Sequence, residues 1–165
     1  MYQAALLVIF PLLVVYAGVS DLLTMKIPNL VSILLVAGFV LVGLLTGLSL
    51  EAWGYHLLGG VVVFLPCFIM FFLGWMGGGD AKVASAIALW FGFGIDLATF
   101  VLMTAMFGMI LTLALLQFKK LSFLPLFLAR IEWVERLHDS RTGIPYGIAI
   151  AVAALLVYPK SQWFL

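Results

Sequence analysis

Long apolar segments make up most of the chain. A helix needs about 20 apolar residues to cross the hydrocarbon core of a bilayer, and the stretches at 2–20, 30–48, 54–74 and 97–117 are close to that length. A fifth stretch, 144–158, is shorter. The composition agrees, because 66% of the residues are hydrophobic and 9% are charged, against about half and a quarter in soluble domains. The sequence therefore predicts an all-α, polytopic membrane helical bundle in one domain spanning 1–165.

A sixth and shorter segment follows the sequence "GWMGGGDAKV" at 74–83. Only 15 residues, "AKVASAIALWFGFGI", separate Asp80 from Asp96. A helix of that length reaches about 22 Å, short of a core that is about 30 Å thick. Two interpretations follow. One end of the helix is recessed, with a glycine turn that protein or a water-filled cavity must surround, or the bilayer is thinner around a short helix.

Positive charge predicts the orientation of these six segments. Six crossings place both termini on one side of the membrane, and loops rich in Lys and Arg face the cytoplasm. Seven of the eight Lys and Arg residues lie after the first, third and fifth segments, and only Lys160 lies on the opposite side. We therefore expect a multi-pass protein of the inner (plasma) membrane with both termini outside.

The cytoplasmic loop at 118–143 carries the pattern of an amphipathic helix over 125–138. Pro125 is a favourable first-turn residue, and Glu132 and Arg136 form a favourable i,i+4 pair. Apolar residues recur at steps of three and four, namely Leu124, Phe127, Leu128, Ile131 and Val134. The helix is expected either to anchor the loop on the membrane surface or to dock the substrate.

Two carboxylates are expected at the same membrane depth. Asp21 follows the first segment and Asp80 opens the fourth helix, so the topology puts both at cytoplasmic ends. Each has a structural alternative, since Asp80 could be a helix N-cap and Asp21 a solvated carboxylate near Lys26. An N-cap does not require the three glycines at 77–79, however. Glycine permits positive φ and the close approach of another chain, which suits a site that binds a peptide beside a carboxylate.

Other side chains give weaker signals. His56 lies near the outer end of the third segment, away from both carboxylates, and Glu51 and Asp96 are expected in outer loops. The consecutive His, Asp and Ser at 138–140 do not have the arrangement of a catalytic triad. The single Cys67 excludes a cysteine-based zinc site and an internal disulfide. A net charge of +1 with no basic run gives no indication of nucleic-acid binding.

Three segments, in this order, resemble the type IV prepilin peptidases. Gly77-Gly78-Gly79-Asp80 fits the G-x-G-D signature of membrane aspartyl proteases. The flanking segments are "DLLTMKIPN" at 21–29 and "IPYGIAIA" at 144–151, and "GGGDAK" at 77–82 lies between them. The resemblance covers nearly the whole chain, which is most similar to the short form associated with tight-adherence (Flp-type) pili.

The resemblance implies an aspartic endopeptidase, without a cofactor or metal, that cleaves the leader of a prepilin or pseudopilin. It implies that Asp21 and Asp80 are the catalytic pair. It also marks substrate-binding or supporting residues, which are Gly77, Gly78, Gly79, Lys82, Lys26, Pro28, Asn29, Pro145, Tyr146 and Gly147. Larger members carry a cytoplasmic insertion with paired cysteines, linked to zinc and to N-methylation of the cut pilin. This chain lacks both, so the resemblance does not extend to methyltransferase activity.

Three other functions stay open at this point. An archaeal preflagellin peptidase would share these motifs, and a small transporter or proton channel could use the two aspartates as a relay. Against the relay, transporter sites lie near the bilayer midplane between repeats, and the chain shows neither repeats nor midplane acids. A non-catalytic subunit of a pilus or secretion machine is the third alternative. Besides the substrate, membrane lipid is the expected partner, and the sequence predicts no oligomeric state.

Helix dipoles predict which carboxylate of the pair is ionised. Asp80 lies at a helix N-terminus, where the dipole favours an anion. Asp21 lies near the end of the first helix, which should stop before Pro28 because residue 27 is disfavoured in the α region. We therefore expect Asp80 to be the ionised partner and Asp21 the protonated one.

Overall fold

The computed structural model describes residues 2–121, 130–161 and 163, with side chains from residue 8 onward. This part of the chain is all-helical and contains no strand, which confirms the predicted all-α class. The α-helices are α1 Tyr2–Thr24, α2 Asn29–Thr46, α3 Leu50–Phe72, α4 Gly78–Phe91, α5 Ile95–Lys119, α6 Glu132–His138 and α7 Gly147–Val157. A 3₁₀ turn, Tyr158–Lys160, follows α7.

Each of the six predicted apolar segments forms a helix. Within the described residues, α2, α3 and α5 are long and apolar enough to cross a membrane, and Val8–Thr24 and Gly147–Lys160 are shorter apolar stretches. The six-crossing count therefore stays a prediction. Helix α3 begins at Leu50, ahead of the expected residue 54, because Ser49 accepts the Ala52 N–H at 3.2 Å as an N-cap. Glu51 and Asp96 lie in the first turns of α3 and α5 and not in loops.

The short helix α4 forms the centre of the bundle. Its 14 residues confirm the predicted short segment, and eight of them are buried against α3, α2 and α7. Four alanines in the helix let these neighbours approach closely. Trp90 is fully buried, and its indole N–H donates to the Leu35 carbonyl at 3.0 Å. Helix α4 is therefore held on several sides, which fixes the position of Asp80 at its N-terminal end.

Helices α1 and α7 pack closely enough to bring their site-bearing ends together. A Cβ atom at Gly18 would lie only 2.8 Å from the Ala151 Cβ, so glycine is needed at this crossing. Alanine and glycine at such contacts allow short interaxial distances. The contact lies one turn from Asp21 on α1 and from Gly147 on α7.

The loop at 118–143 differs from its prediction. Residues 122–129, which include Pro125 and the apolar positions 124, 127 and 128, lie outside the described residues. The described helix α6 begins at Glu132, and Ile131 is its extended N-cap. It is amphipathic, but Val134 and Leu137 are buried against α5 and α1, so the protein itself covers its apolar face. Arg136 bonds outside its own helix, because its Nη1 donates to the Leu23 carbonyl at 2.6 Å, and the predicted pair with Glu132 stays a prediction.

Candidate active site

Asp21 lies in the last turn of α1 and is 5% exposed. Its Oδ2 accepts a hydrogen bond of 2.7 Å from the backbone N–H of Gly147, at the start of α7. A Cβ at Gly147 would lie 2.8 Å from this oxygen and 2.9 Å from the Asp21 Cβ. The first and third predicted motifs therefore meet at a buried carboxylate, and the solvated-carboxylate interpretation of Asp21 is wrong.

The turn after α1 folds back toward this carboxylate. Helix α1 ends at Thr24, as expected upstream of Pro28, and Met25 takes a left-handed conformation with φ of 55°. Hydroxyls of Ser20 and Thr24 donate to the Lys26 carbonyl at 2.8 Å and 3.1 Å, which fixes the turn. The Lys26 residue itself is exposed. Pro28 is the extended N-cap of α2, with φ of −60° and ψ of 135°.

Asp80 is the third residue of α4, and Gly77 occupies the N-cap position. The alternative that Asp80 is the N-cap residue is therefore wrong. The Asp80 carboxylate instead accepts the backbone N–H of Gly77, as the third helical residue does in a capping box. A Cβ at Gly77 would lie 2.9 Å from the Asp80 Oδ2, so a side chain there would crowd this contact. The other oxygen, Oδ1, is buried without a hydrogen-bond partner among the described residues.

The glycines at 77–79 provide space and not a left-handed backbone. Gly77 has φ of −69°, and in the described chain left-handed φ values occur at Met25, Gly47, Gly74 and Gly92. A Cβ at Gly78 would lie 3.0 Å from the Phe71 ring, and one at Gly79 would lie 3.2 Å from the Ile27 Cβ. Phe71 and Ile27 of the same chain therefore use the close approach that these glycines permit.

Ile27 joins the two halves of the site. Its Cβ packs over Gly79, which precedes Asp80, and its Cδ1 lies 2.9 Å from the position of a Cβ at Gly147. The same side chain thus borders both backbone segments that hold the carboxylates. The two carboxylates lie within electrostatic reach of each other, since the charge of Asp21 acts on Asp80. Ile27 is part of the site that sequence reasoning missed, because nothing in an isolated isoleucine indicates this position.

The remaining motif residues frame the pair. Lys82 Nζ donates to the Asn29 Oδ1 at 2.9 Å, which ties the start of α2 to α4. The Tyr146 hydroxyl fills the space over Gly108 of α5. The Pro145 carbonyl accepts the Ile148 N–H at 3.4 Å in the turn that leads into α7. These residues position helices. None of the contacts described for them is with either carboxylate.

An open cleft of about 770 Å³ begins at Asp80. Its walls come from the α3–α4 turn, the C-terminal end of α5 and the segment 140–146. Lys119 holds that segment in place, because its Nζ donates to the carbonyls of Thr142 and Gly143 at 2.7 Å and 3.3 Å. The volume of the cleft is within the range of ordinary ligand pockets, about 300–1,000 Å³. Lys119 and Thr142 are also missed by the sequence, since their contact joins distant loops.

The other candidates lie elsewhere. The buried His56 has its Nδ1 2.6 Å from the Leu89 carbonyl. The His138 Nε2 lies 2.9 Å from the Leu121 carbonyl, and the Asp139 Oδ1 accepts the Arg141 N–H at 2.9 Å, so the residues at 138–140 form no triad. Cys67 is half-buried on α3.

The sequence profile of the type IV leader peptidase family matches residues 8–116, and the chain belongs to this family. The matched region includes both aspartates and ends before the Gly147 segment. No curated protein and no solved structure matches the chain. The family makes the chain a leader-peptidase-like protease.

Proposed function

We propose that this chain is a membrane aspartyl endopeptidase that removes the leader of Flp-like prepilins or pseudopilins at the cytoplasmic boundary. The observation that carries the proposal is the convergence of three distant motifs on Asp21 and Asp80. Gly147 binds the first carboxylate, Gly77 binds the second, and Ile27 packs beside both. A non-catalytic subunit would have no need for an unpaired, buried carboxylate oxygen next to an open cleft.

The hydrogen bonds support a division of roles that reverses the sequence expectation. Each carboxylate accepts one backbone N–H, Asp21 from Gly147 and Asp80 from Gly77. The Asp80 Oδ1, however, is buried without a hydrogen-bond partner among the described residues, and burial of an unpaired charged oxygen disfavours the ionised form. We assign Asp21 as the ionised base and Asp80 as the protonated partner, whose Oδ1 is free to donate. Two close carboxylates share a proton in this way because both cannot ionise easily.

The proposed reaction is a direct attack by water. Ionised Asp21 takes a proton from the water, and protonated Asp80 donates a hydrogen bond to the scissile carbonyl oxygen. The tetrahedral intermediate then collapses with transfer of a proton to the leaving amine, which releases the leader with a new carboxylate and the pilin with a new N-terminus. The pair titrates as one unit. The low exposure of Asp21 strengthens each polar contact in the transition state.

Co-expression with candidate substrates tests this function and its alternatives. Processing of a bacterial prepilin, read from its N-terminal mass, supports the proposal, whereas processing of an archaeal preflagellin alone supports the related peptidase. Proton flux in liposomes without any peptide product would support the relay. Normal pilus assembly by Asp80→Asn protein would support the non-catalytic subunit.

The proposed orientation predicts the side from which each loop can be labelled. A cysteine in place of Arg130, in a Cys67→Ser background, should react with an impermeant thiol reagent only after the cells are permeabilised, because Lys and Arg favour the cytoplasmic side. A cysteine in place of the exposed Lys160 is the control and should react from outside intact cells. Labelling of position 130 in intact cells would contradict the orientation.

The acidic residues of α6 and the following turn predict a preference for basic leaders. Glu132, Glu135 and Asp139 line one surface depression of about 540 Å³ together with Arg136, which bonds to the end of α1. Replacing all three acids by lysine should slow cleavage of a basic-leader substrate about tenfold at low salt, and less at high salt, because exposed charges are screened. A neutral-leader substrate should be cut at nearly the original rate. Equal slowing of both substrates would mean that these acids have a structural role only. Glu51→Lys is the control and should change neither rate.

A further inference from the structure

Two separate contacts hold the end of α1 that carries Asp21. The first is the Gly147 N–H, which donates to the Asp21 carboxylate at 2.7 Å. The second comes from α6, where the Arg136 Nη1 donates to the Leu23 carbonyl at 2.6 Å. Leu23 belongs to the last turn of α1, and the carbonyls of a last turn have no partner within their own helix. Arg136 therefore completes the end of the helix on which Asp21 lies.

Other carbonyls at this end of α1 use donors that are close in sequence. The Met25 N–H donates to the Asp21 carbonyl at 2.8 Å, and the Thr24 hydroxyl donates to the Ser20 carbonyl at 2.7 Å. Arg136 is distant in sequence, and its bond ties this end of α1 to α6. A cationic side chain is also favourable at a helix C-terminus because of the helix dipole.

A chain of contacts leads from Arg136 back to Gly147. The Thr142 hydroxyl donates to the Arg136 carbonyl at 2.7 Å, and the Lys119 Nζ of α5 donates to the Thr142 carbonyl at 2.7 Å. We call residues 136–147 the clasp. Both ends of the clasp bond to the last turn of α1, and its middle is fixed to α5. A change at one end is therefore expected to reach the other.

We propose that Arg136 is a positioning residue for the catalytic carboxylate, because it holds the end of α1 against the clasp and so keeps Asp21 on the Gly147 N–H. The inference rests on the proposed peptidase function, in which Asp21 is the base. Arg136 acts through the backbone of α1 and not on the reacting atoms. The clasp lies beyond the residues 8–116 that the family profile matches, so it adds a part of the site that the family match does not cover.

Kinetic constants separate this role from substrate docking. Arg136 also lines the acidic depression on α6. A docking role would appear in KM for a basic leader. A positioning role appears in kcat, because a displaced base slows the reaction of substrate that is already bound.

Three variants test the role of Arg136 with a full-length prepilin. Arg136→Gln carries its donor on a shorter side chain, and we expect kcat to fall about thirtyfold while KM stays within about twofold. Arg136→Lys keeps the positive charge and a longer reach, and should recover kcat to within about threefold of wild type. Arg130→Gln is the matched control, since Arg130 is exposed, precedes α6 and has no side-chain bond among the described residues. It should change neither constant.

Hydrogen exchange provides a measurement that does not depend on cleavage. The Gly147 amide is protected by its bond to Asp21, and mass spectrometry of overlapping peptides across the clasp reports its exchange rate. In Arg136→Gln protein we expect this amide to exchange about tenfold faster, because protection depends on how often the local structure opens. Exchange of the α4 amides should stay unchanged, which would show that the effect is local.

The outcomes separate this inference from the peptidase function. Wild-type kcat and wild-type exchange in Arg136→Gln protein would overturn the inference, and so would a rise in KM alone or a fall in kcat without faster exchange. Failure of Arg136→Lys to recover kcat, or an equal loss in Arg130→Gln enzyme, would also overturn it. If wild-type enzyme leaves every prepilin intact, the peptidase function fails, and the exchange rate still reports whether Arg136 holds Asp21 on Gly147.

Discussion

Asp21→Asn and Asp80→Asn enzymes should each lose cleavage by about 10³-fold or more, since general acid and base groups contribute about 10²–10⁴-fold each. Asparagine keeps the size of the side chain and accepts the Gly147 N–H or the Gly77 N–H, so the local structure should persist. It cannot hold the shared proton. The loss should therefore appear in kcat, measured with purified protein, while membrane insertion and thermal unfolding stay close to those of the wild-type protein.

Glu51→Gln is the control for this prediction. Glu51 is an exposed acid in the first turn of α3, and its replacement should leave the rate within about twofold, as expected of an isolated surface carboxylate. An equal loss of activity in Glu51→Gln enzyme would indicate a general effect of lost charge, and not a catalytic pair.

Gly147→Ala should reduce kcat by about 10²-fold, because small displacements of a catalytic group have effects of this size. The added methyl group would lie 2.8 Å from the Asp21 Oδ2 and 2.9 Å from both the Asp21 Cβ and the Ile27 Cδ1. Ile27 can move the end of its side chain, but Asp21 is buried and must shift away from the N–H that holds it. The rate of leader cleavage, measured at saturating substrate, checks this result.

Gly54→Ala is the matched control for Gly147→Ala. Gly54 lies within α3, is exposed, and a Cβ there would meet nothing within 4 Å. The substitution should leave cleavage unchanged and should slightly stabilise the helix, because alanine is favoured over glycine in helix interiors. A Gly147→Ala enzyme with wild-type activity would show that the position of Asp21 does not depend on this contact.

The bundle could largely be predicted from the sequence because hydropathy is a local property. The apolar stretches mark α1, α2, α3, α5 and α7 to within a few residues, and the distance from Asp80 to Asp96 predicts the short α4. Hydropathy predicts the start of α3 four residues too late, since Glu51 interrupts the apolar pattern although an acid is favourable in a first helical turn. Errors of this kind come from capping contacts, which hydropathy does not report.

The candidate site was predictable in its motif residues and not in its contacts. Asp21, Asp80 and Gly147 lie in recognisable segments, and the structure brings Gly147 to Asp21. The role of Ile27 depends on the turn after α1 folding back between α4 and α7, which no local pattern indicates. Helix dipoles alone predict Asp80 as the ionised partner, whereas the buried Oδ1 of Asp80, which has no partner among the described residues, favours ionised Asp21. Whether a buried oxygen finds a partner depends on tertiary packing, which no local sequence pattern indicates.

The most direct test is a cycle of Asp21→Asn, Asp80→Asn and double-mutant enzymes, purified and reconstituted in liposomes. Each enzyme is given a full-length prepilin in two separate assays, one with substrate in excess and one with enzyme in excess. Mass spectrometry should find one new pilin N-terminus with wild-type protein. If the carboxylates act as a single unit, the double mutant should cleave no more slowly than either single mutant, because effects of cooperating residues are not additive. A leader left intact by the wild-type protein, or single-mutant losses that multiply in the double mutant, would contradict a catalytic Asp21–Asp80 pair.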